Sequence, residues 1–213
     1  MNCSRDKFFV LVLIAAVCTM LNAQQGGRHE TSARTFDSPE GTFRFNYSPA
    51  LVSCQKNSSQ TVWLPDECNA YTPVCSNFSC DSTETVACIA YPAKEMKGSN
   101  FEGAAFSVSE LKQAGTEAEC LKVDEPPPHL GSPWTETVNG VKFEVIETDG
   151  VATGHLMDGY VYRTFHQRKC YELDIRIAYW NPVYADPGTV RTFDAKAVQN
   201  RLKKVLDTFK FLH

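Results

Sequence analysis

The sequence predicts one exported α+β domain: an antiparallel β-sheet packed by helices, with a disulfide-rich loop inserted in it. Three features carry that expectation. Residues 1–23 read as a secretory signal, residues 141–179 contain three segments of alternating apolar and polar residues, and the chain closes on an amphipathic helix.

The signal has a basic start at Arg5 and Lys7, an apolar run over 8–17 that extends more weakly to Leu21, and a small residue, Ala23, at the cut. The 14 residues from Phe8 to Leu21 fall short of the roughly 20 that a spanning helix needs. Cleavage after Ala23 is the expectation. Two alternatives stay open: a lipid on Cys18, although Val17 before it is bulkier than lipidation favours, and a retained short anchor. No second apolar run is long enough to span a bilayer. The mature chain is therefore expected to be extracytoplasmic, periplasmic or secreted, without a membrane span.

Residues 24–213 carry 19 Lys and Arg against 24 Asp and Glu, a net charge of −5. That mild acidity is an ordinary solubility charge and gives no basic stripe for nucleic acid. Such a length suits a single domain burying about 70% of its unfolded surface. Residues 24–34 are expected to be a disordered leader and 35–213 the domain, with 55–87 as its cysteine-rich insertion.

Seven cysteines follow the signal: Cys54, Cys68, Cys75, Cys80, Cys88, Cys120 and Cys170. The count is odd, so at most three bridges form within the chain. The spacings between Cys54 and Cys88 (13, 6, 4 and 7 residues) match no zinc ribbon, and no histidine lies among them. In an oxidising compartment these sulfurs are disulfide candidates.

Element by element, 36–41 (Phe-Asp-Ser-Pro-Glu-Gly) is a strand end and a turn. Residues 42–47 alternate, with Phe43, Phe45 and Tyr47 on one side. The insertion is turn chemistry without a period. Strands resume over 85–91, stopped by Pro92, and over 101–108. Thr116 and Glu119 form a capping box for a short helix through Lys122. Residues 123–135, with three consecutive prolines and Trp134, read as a stiff loop. Residues 141–148 then alternate, and Asp149-Gly150 reads as a turn. Residues 160–166 follow, reversed at Gln167-Arg168. Residues 171–179 put Tyr171, Leu173, Ile175, Ile177 and Tyr179 on one face. These three segments read as an antiparallel meander with one dry and one wetter face. Asp194 caps the last helix, Phe193 is placed to staple onto Val198, and Val198, Leu202, Val205, Leu206 and Phe209 form one stripe. Residues 208–212 read as a closing edge strand.

The paired start over 36–49, the middle strands, the Val-Asn-Gly-Val-Lys-Phe hairpin at 138–143 and the terminal helix ending Val-Leu-Asp-Thr-Phe-Lys-Phe resemble the Mog1/PsbP-like fold group. The likeness covers about 36–212 apart from the insertion. It implies a central antiparallel sheet with helices packed against it, and the helices are expected on one side. Many members of the group are exported, and most known ones are non-enzymatic binding or assembly factors. A partner-binding role is thus implied, with an unknown protein or small polar ligand as partner. On that layout the strand near Cys54 and the strand carrying Cys88 are hairpin partners. Cys54–Cys88 then becomes a candidate bridge, with two of Cys68, Cys75 and Cys80 pairing inside the loop. Cys120–Cys170 is a candidate tie of helix to sheet. Six cysteines alone allow 15 pairings, so connectivity stays open.

No GxSxG, P-loop or GxGxxG motif occurs, so neither catalytic nor cofactor-binding residues are assigned. His155, Asp158 and His166 are near in sequence and are candidates to meet across the sheet, but surface roles suit them better. Cys170, beside Lys169 and near His166, suits a bridge better than a nucleophile. The wetter face (Arg44, Glu144, Arg163, Glu172, Asp174, Arg176) is expected to form cross-strand ion pairs, with a polar ligand groove, or an enzyme site lacking a motif, as the functional alternative. Trp134, Trp63, Tyr71 and Phe78 are candidate binding aromatics. Asn46, Asn57 and Asn77 match the glycosylation acceptor pattern.

Overall fold

Pairing of the alternating C-terminal segments creates the meander around which the rest is built. The computed structural model describes residues 32–56, 63–64, 84–122, 129–152, 154–186 and 188–212. In chain order the strands are β1 (Arg34–Asp37), β2 (Phe43–Tyr47), β3 (Val52–Ser53), β4 (Gln55–Lys56), β5 (Trp63–Leu64), β6 (Thr85–Ala90), β7 (Phe101–Leu111), β8 (Trp134–Val138), β9 (Val141–Ala152), β10 (His155–His166), β11 (Lys169–Trp180) and β12 (Lys210–Phe211). The helices are α1 (Glu117–Cys120) and α2 (Ala195–Leu206). The main sheet has the order β3-β6-β7-β11-β10-β9-β8, a smaller sheet has β1-β2-β12, and β4 pairs with β5. Every pairing between these strands is antiparallel. The expected pairing of the Cys54 and Cys88 strands is present as β3 with β6, and the closing edge strand as β12 on β2.

Directly opposed residues in an antiparallel pair share a face, so register assigns the two sides of the main sheet. One side carries Tyr171, Leu173, Ile175 and Ile177 of β11 with Val108 and Phe106 of β7 and Tyr160 and Tyr162 of β10. It is covered by α2 and by the small sheet. Phe43 and Phe45 of β2, Phe106, Phe143, Leu202, Leu206 and Phe209 are all buried in that interface. The stripe on α2 explains its docking: Val198, Leu202, Val205 and Leu206 are all buried. Asp194 caps the helix by accepting from Ala197 N–H at 2.9 Å. The Phe193 ring packs against Phe101 and Tyr179.

Several expectations need correction. Asp149-Gly150 is not a turn. Asp149 pairs with Asp158 inside β9 and β10, and the ladder runs on to Ala152 opposite His155. His129 Nε2 lies 2.7 Å from the Asp149 carboxylate. The reversal falls at Gly154, whose φ of +84° suits glycine. Trp134 and Thr135 belong to β8, because Trp134 pairs with Val145. The first strand takes in Arg34. The helices do not share one side. Cys170 points away from Leu173, so α1, tied to it, lies on the face opposite α2. The α1 helix is also shorter than expected, ending at Cys120, although its Thr116–Glu119 capping box forms as read.

The Gln167-Arg168 reversal holds, and both residues have positive φ, 49° and 65°. A non-glycine residue in that region costs roughly 1 kcal/mol. Arg168→Gly should therefore raise the urea midpoint by an amount corresponding to about 1 kcal/mol; an unchanged or lower midpoint would contradict the reading. No helix among the described residues is long and apolar enough to cross a membrane.

Candidate functional site

Two regions of the main sheet concentrate polar chemistry, one on each face. On the α1 side, β11 presents Cys170, Glu172, Asp174 and Arg176. Cys170 is bonded to Cys120 with Cα atoms 5.4 Å apart, and this bridge holds α1 on the sheet. Arg163 Nε donates to Glu172 at 2.7 Å, a cross-strand pair in register, and its terminal nitrogen donates to the Lys122 carbonyl. Arg176 donates to Asp174 from two nitrogens at 3.3 Å along the same strand. Arg44 is not part of this face: it lies on β2 and pairs with Asp37 at 2.6 Å. Glu144 is opposite Arg163 and accepts from Thr135 at 3.5 Å.

This face is drier than its charges suggest. Asp174 is 5% exposed and its register partner Ser107 is fully buried. Ser107 Oγ, Thr148 Oγ1 and Glu102 Oε2 are buried with no hydrogen-bond partner among the described residues. Burial pushes the Asp174 carboxyl up to about 6, with Arg176 opposing it and Glu172 reinforcing it. The folded chain then holds this proton to a higher pH than the unfolded chain, where the group titrates near 4. Stability should accordingly fall as pH rises from about 4 to about 6, then level off. Asp174→Asn should remove that slope. Urea midpoints across this range test it, and a slope that survives the substitution would contradict the assignment.

The His155, Asp158 and His166 cluster, the less favoured alternative to surface roles, does not assemble. His155, Asp158 and His166 all lie on β10 but do not converge. His155 Nδ1 lies 2.6 Å from Glu102 on the α1 side, Asp158 accepts from Tyr179 O–H at 2.7 Å on the α2 side, and the His166 ring stacks on Phe211 at 3.8 Å. No group of three or more metal-ligating side chains occurs among the described residues. Cys54 and Cys88 are both disulfide-bonded, and Cys54 N–H donates to the Cys88 carbonyl. The one bridge with both ends among the described residues is Cys120–Cys170, so the Cys54–Cys88 neck bridge is not seen. Cys68, Cys75, Cys80, Tyr71, Phe78, Asn57 and Asn77 lie outside the described residues, as do the signal and leader readings up to residue 31.

The second region was missed from sequence. Beyond the N-terminal end of α2 the sheet is only partly covered, and a pocket of about 150 Å³ opens between helix and strands. Its floor is Ile175 and Ile177, its helix wall Ala195 and Gln199, and its strand wall Tyr160, Glu147 and Asp158. Tyr160 and Glu147 are directly opposed across β10 and β9. Trp134, 38% exposed, packs edge-on against Tyr160 with centroids 6.1 Å apart. The Tyr179 hydroxyl that holds Asp158 is pushed up in pKa by burial and by that carboxylate. A signal for this site was present. Val141, Phe143 and Val145 mark the dry face of β9, and the next two residues in that phase are Glu147 and Asp149.

No protein-family model and no curated protein matches the chain. Among solved structures, it is similar to a protein from Bacteroides thetaiotaomicron VPI-5482, with a TM-score of 0.46 and 11% identity over 84% of this chain. That match covers 48% of the other protein, so this chain spans about half its length. It is also similar to the cyanobacterial PsbP (CyanoP) of Synechocystis sp. PCC 6803, with a TM-score of 0.44 and 9% identity, over 87% of this chain and 96% of that one.

Proposed function

We propose that the chain is an exported, non-enzymatic binding module whose recognition surface is the partly covered end of the α2 face. The observation that supports it most is the pocket walled by Tyr160, Glu147 and Asp158 and flanked by the half-open Trp134 ring. Exposed aromatics beside a small concavity with a few directed polar groups suit recognition. The rival reading, an enzyme on the polar α1 face, has Asp174 with a raised pKa in its favour. Asp174 and Ser107 are nonetheless buried, and Asp174 is occupied by Arg176, which leaves a substrate no approach to either. Export is supported by the buried Cys120–Cys170 bridge and by the signal-like first 23 residues. The domain proper is read as 34–213, taking in Arg34 of β1, with 55–87 as its insertion.

The test is a thermal-shift panel of small polar compounds on the secreted product. Compounds that raise Tm should lose that effect in Tyr160→Ala with Glu147→Gln. Chemical turnover of a stabilising compound would overturn the non-enzymatic reading. Terminal sequencing should find Gln24 first; an uncut, fully reduced product in the cell interior would overturn export.

A further inference from the structure

The ligand chemistry of this pocket follows from how the chain already holds one of its own cations. Ala195, Gln199 and Lys203 recur at four-residue steps on α2, so they form one ridge along the sheet. At the C-terminal end of the ridge, Lys203 places its ammonium 2.6 Å from Glu136 and 5.7 Å from the centroid of the Tyr162 ring. That is a carboxylate and an aromatic face converging on one primary ammonium. Two residues back along β10, on the same face, Tyr160 stands opposite Glu147 with Asp158 beside it. Lys203 also has a second carboxylate, Asp207, at 3.3 Å, so each place brings a tyrosine together with two carboxylates, those of the pocket coming from β9 and β10. The helix residues facing it are Gln199 and Ala195, which bring no charge, and among the described residues no Lys, Arg or His lines the space.

Resting on the binding reading above, we propose that this pocket takes a small organic primary ammonium. Its alkyl part would lie on Ile175 and Ile177, and its ammonium would sit between Glu147, Asp158 and the Tyr160 ring. Charge complementarity supports this occupant: two carboxylates face a half-enclosed space that no cation among the described residues lines. Two features oppose it: Asp158 already accepts from the Tyr179 O–H at 2.7 Å, which leaves its other oxygen for the ligand, and the start of α2 carries partial positive charge, which the Asp194 carboxylate capping Ala197 N–H offsets. The volume, about 150 Å³, suits a short alkyl chain.

The test titrates the mature protein with n-butylammonium, 1-butanol and butyrate, reading NMR shifts of Tyr160 and Gln199. Saturable shifts with butylammonium alone are expected. Glu147→Gln should weaken binding roughly tenfold. Gln199→Lys, which would supply an internal ammonium as Lys203 does, should abolish binding while the dispersed spectrum of the folded chain persists. Equal binding of butanol would overturn the cation claim and leave the binding reading intact. Silence from all three probes in a folded protein would also overturn the cation claim, with the compound panel deciding the binding reading separately. A lysine-containing peptide binding more than tenfold tighter than butylammonium would overturn the small-molecule source.

Discussion

Removing the Cys120–Cys170 bridge by a double Cys→Ser substitution should destabilise the domain by about 4 kcal/mol. The two cysteines are separated by 50 positions, and closing a loop of that length restricts the unfolded chain by about this amount in the chain-entropy account. Both residues are buried, so reductant should reach the bridge only after unfolding. A local effect should accompany the global one. The α1 helix has four residues, too few to be stable alone. Besides the bridge it is held by its capping box and by Arg163 donating to the Lys122 carbonyl. In the variant, amide exchange over 117–122 should accelerate more than in β7 or β11. Guanidinium midpoints and exchange rates check both parts. A midpoint unmoved by the double substitution would show that the bridge is not the constraint described.

Phe209→Ala should cost a similar amount, about 3–5 kcal/mol, as deletion of a fully buried aromatic does. Phe209 follows α2 and is wholly buried, with its ring 5.3 Å from Phe43, 6.2 Å from Phe143 and 5.2 Å from Phe211. It thus joins the small sheet to the main sheet beneath the C-terminal end of the helix. Its carbonyl and that of Asp207 both accept from the Asn139 side chain at 2.8 Å, so the backbone should stay in place and the lost ring leave a cavity. Phe209→Leu should recover more than half of the loss, because most of the volume returns. Denaturation midpoints of the two variants decide it. Equal losses would mean that the ring's specific contacts, more than its volume, hold the two layers together.

Local chemistry was legible in the sequence. The Thr116–Glu119 box, the Asp194 cap, the α2 stripe, the Gln167-Arg168 reversal and the β10–β11 alternation involve residues a few positions apart, so short-range sterics and hydrogen bonding dictate them. The same locality explains the error at Asp149-Gly150. That dipeptide favours a turn by itself, but pairing of residues 151 and 152 with 156 and 155 carried the strand through it. Trp134 has the local character of loop for the same reason, since its strand exists only because Val145 lies opposite.

Caps, strand phases and the sulfur inventory are properties of neighbouring residues, and the amino-acid order by itself determined them. Tertiary structure alone decided that α1 and α2 take opposite faces, that Asp174 is desolvated beside Arg176, and that Glu147 meets Tyr160 next to an uncharged stretch of helix. The physical reason is register. Side chains alternate between faces every residue, so what a strand position touches depends on which partner strand slides into place beside it.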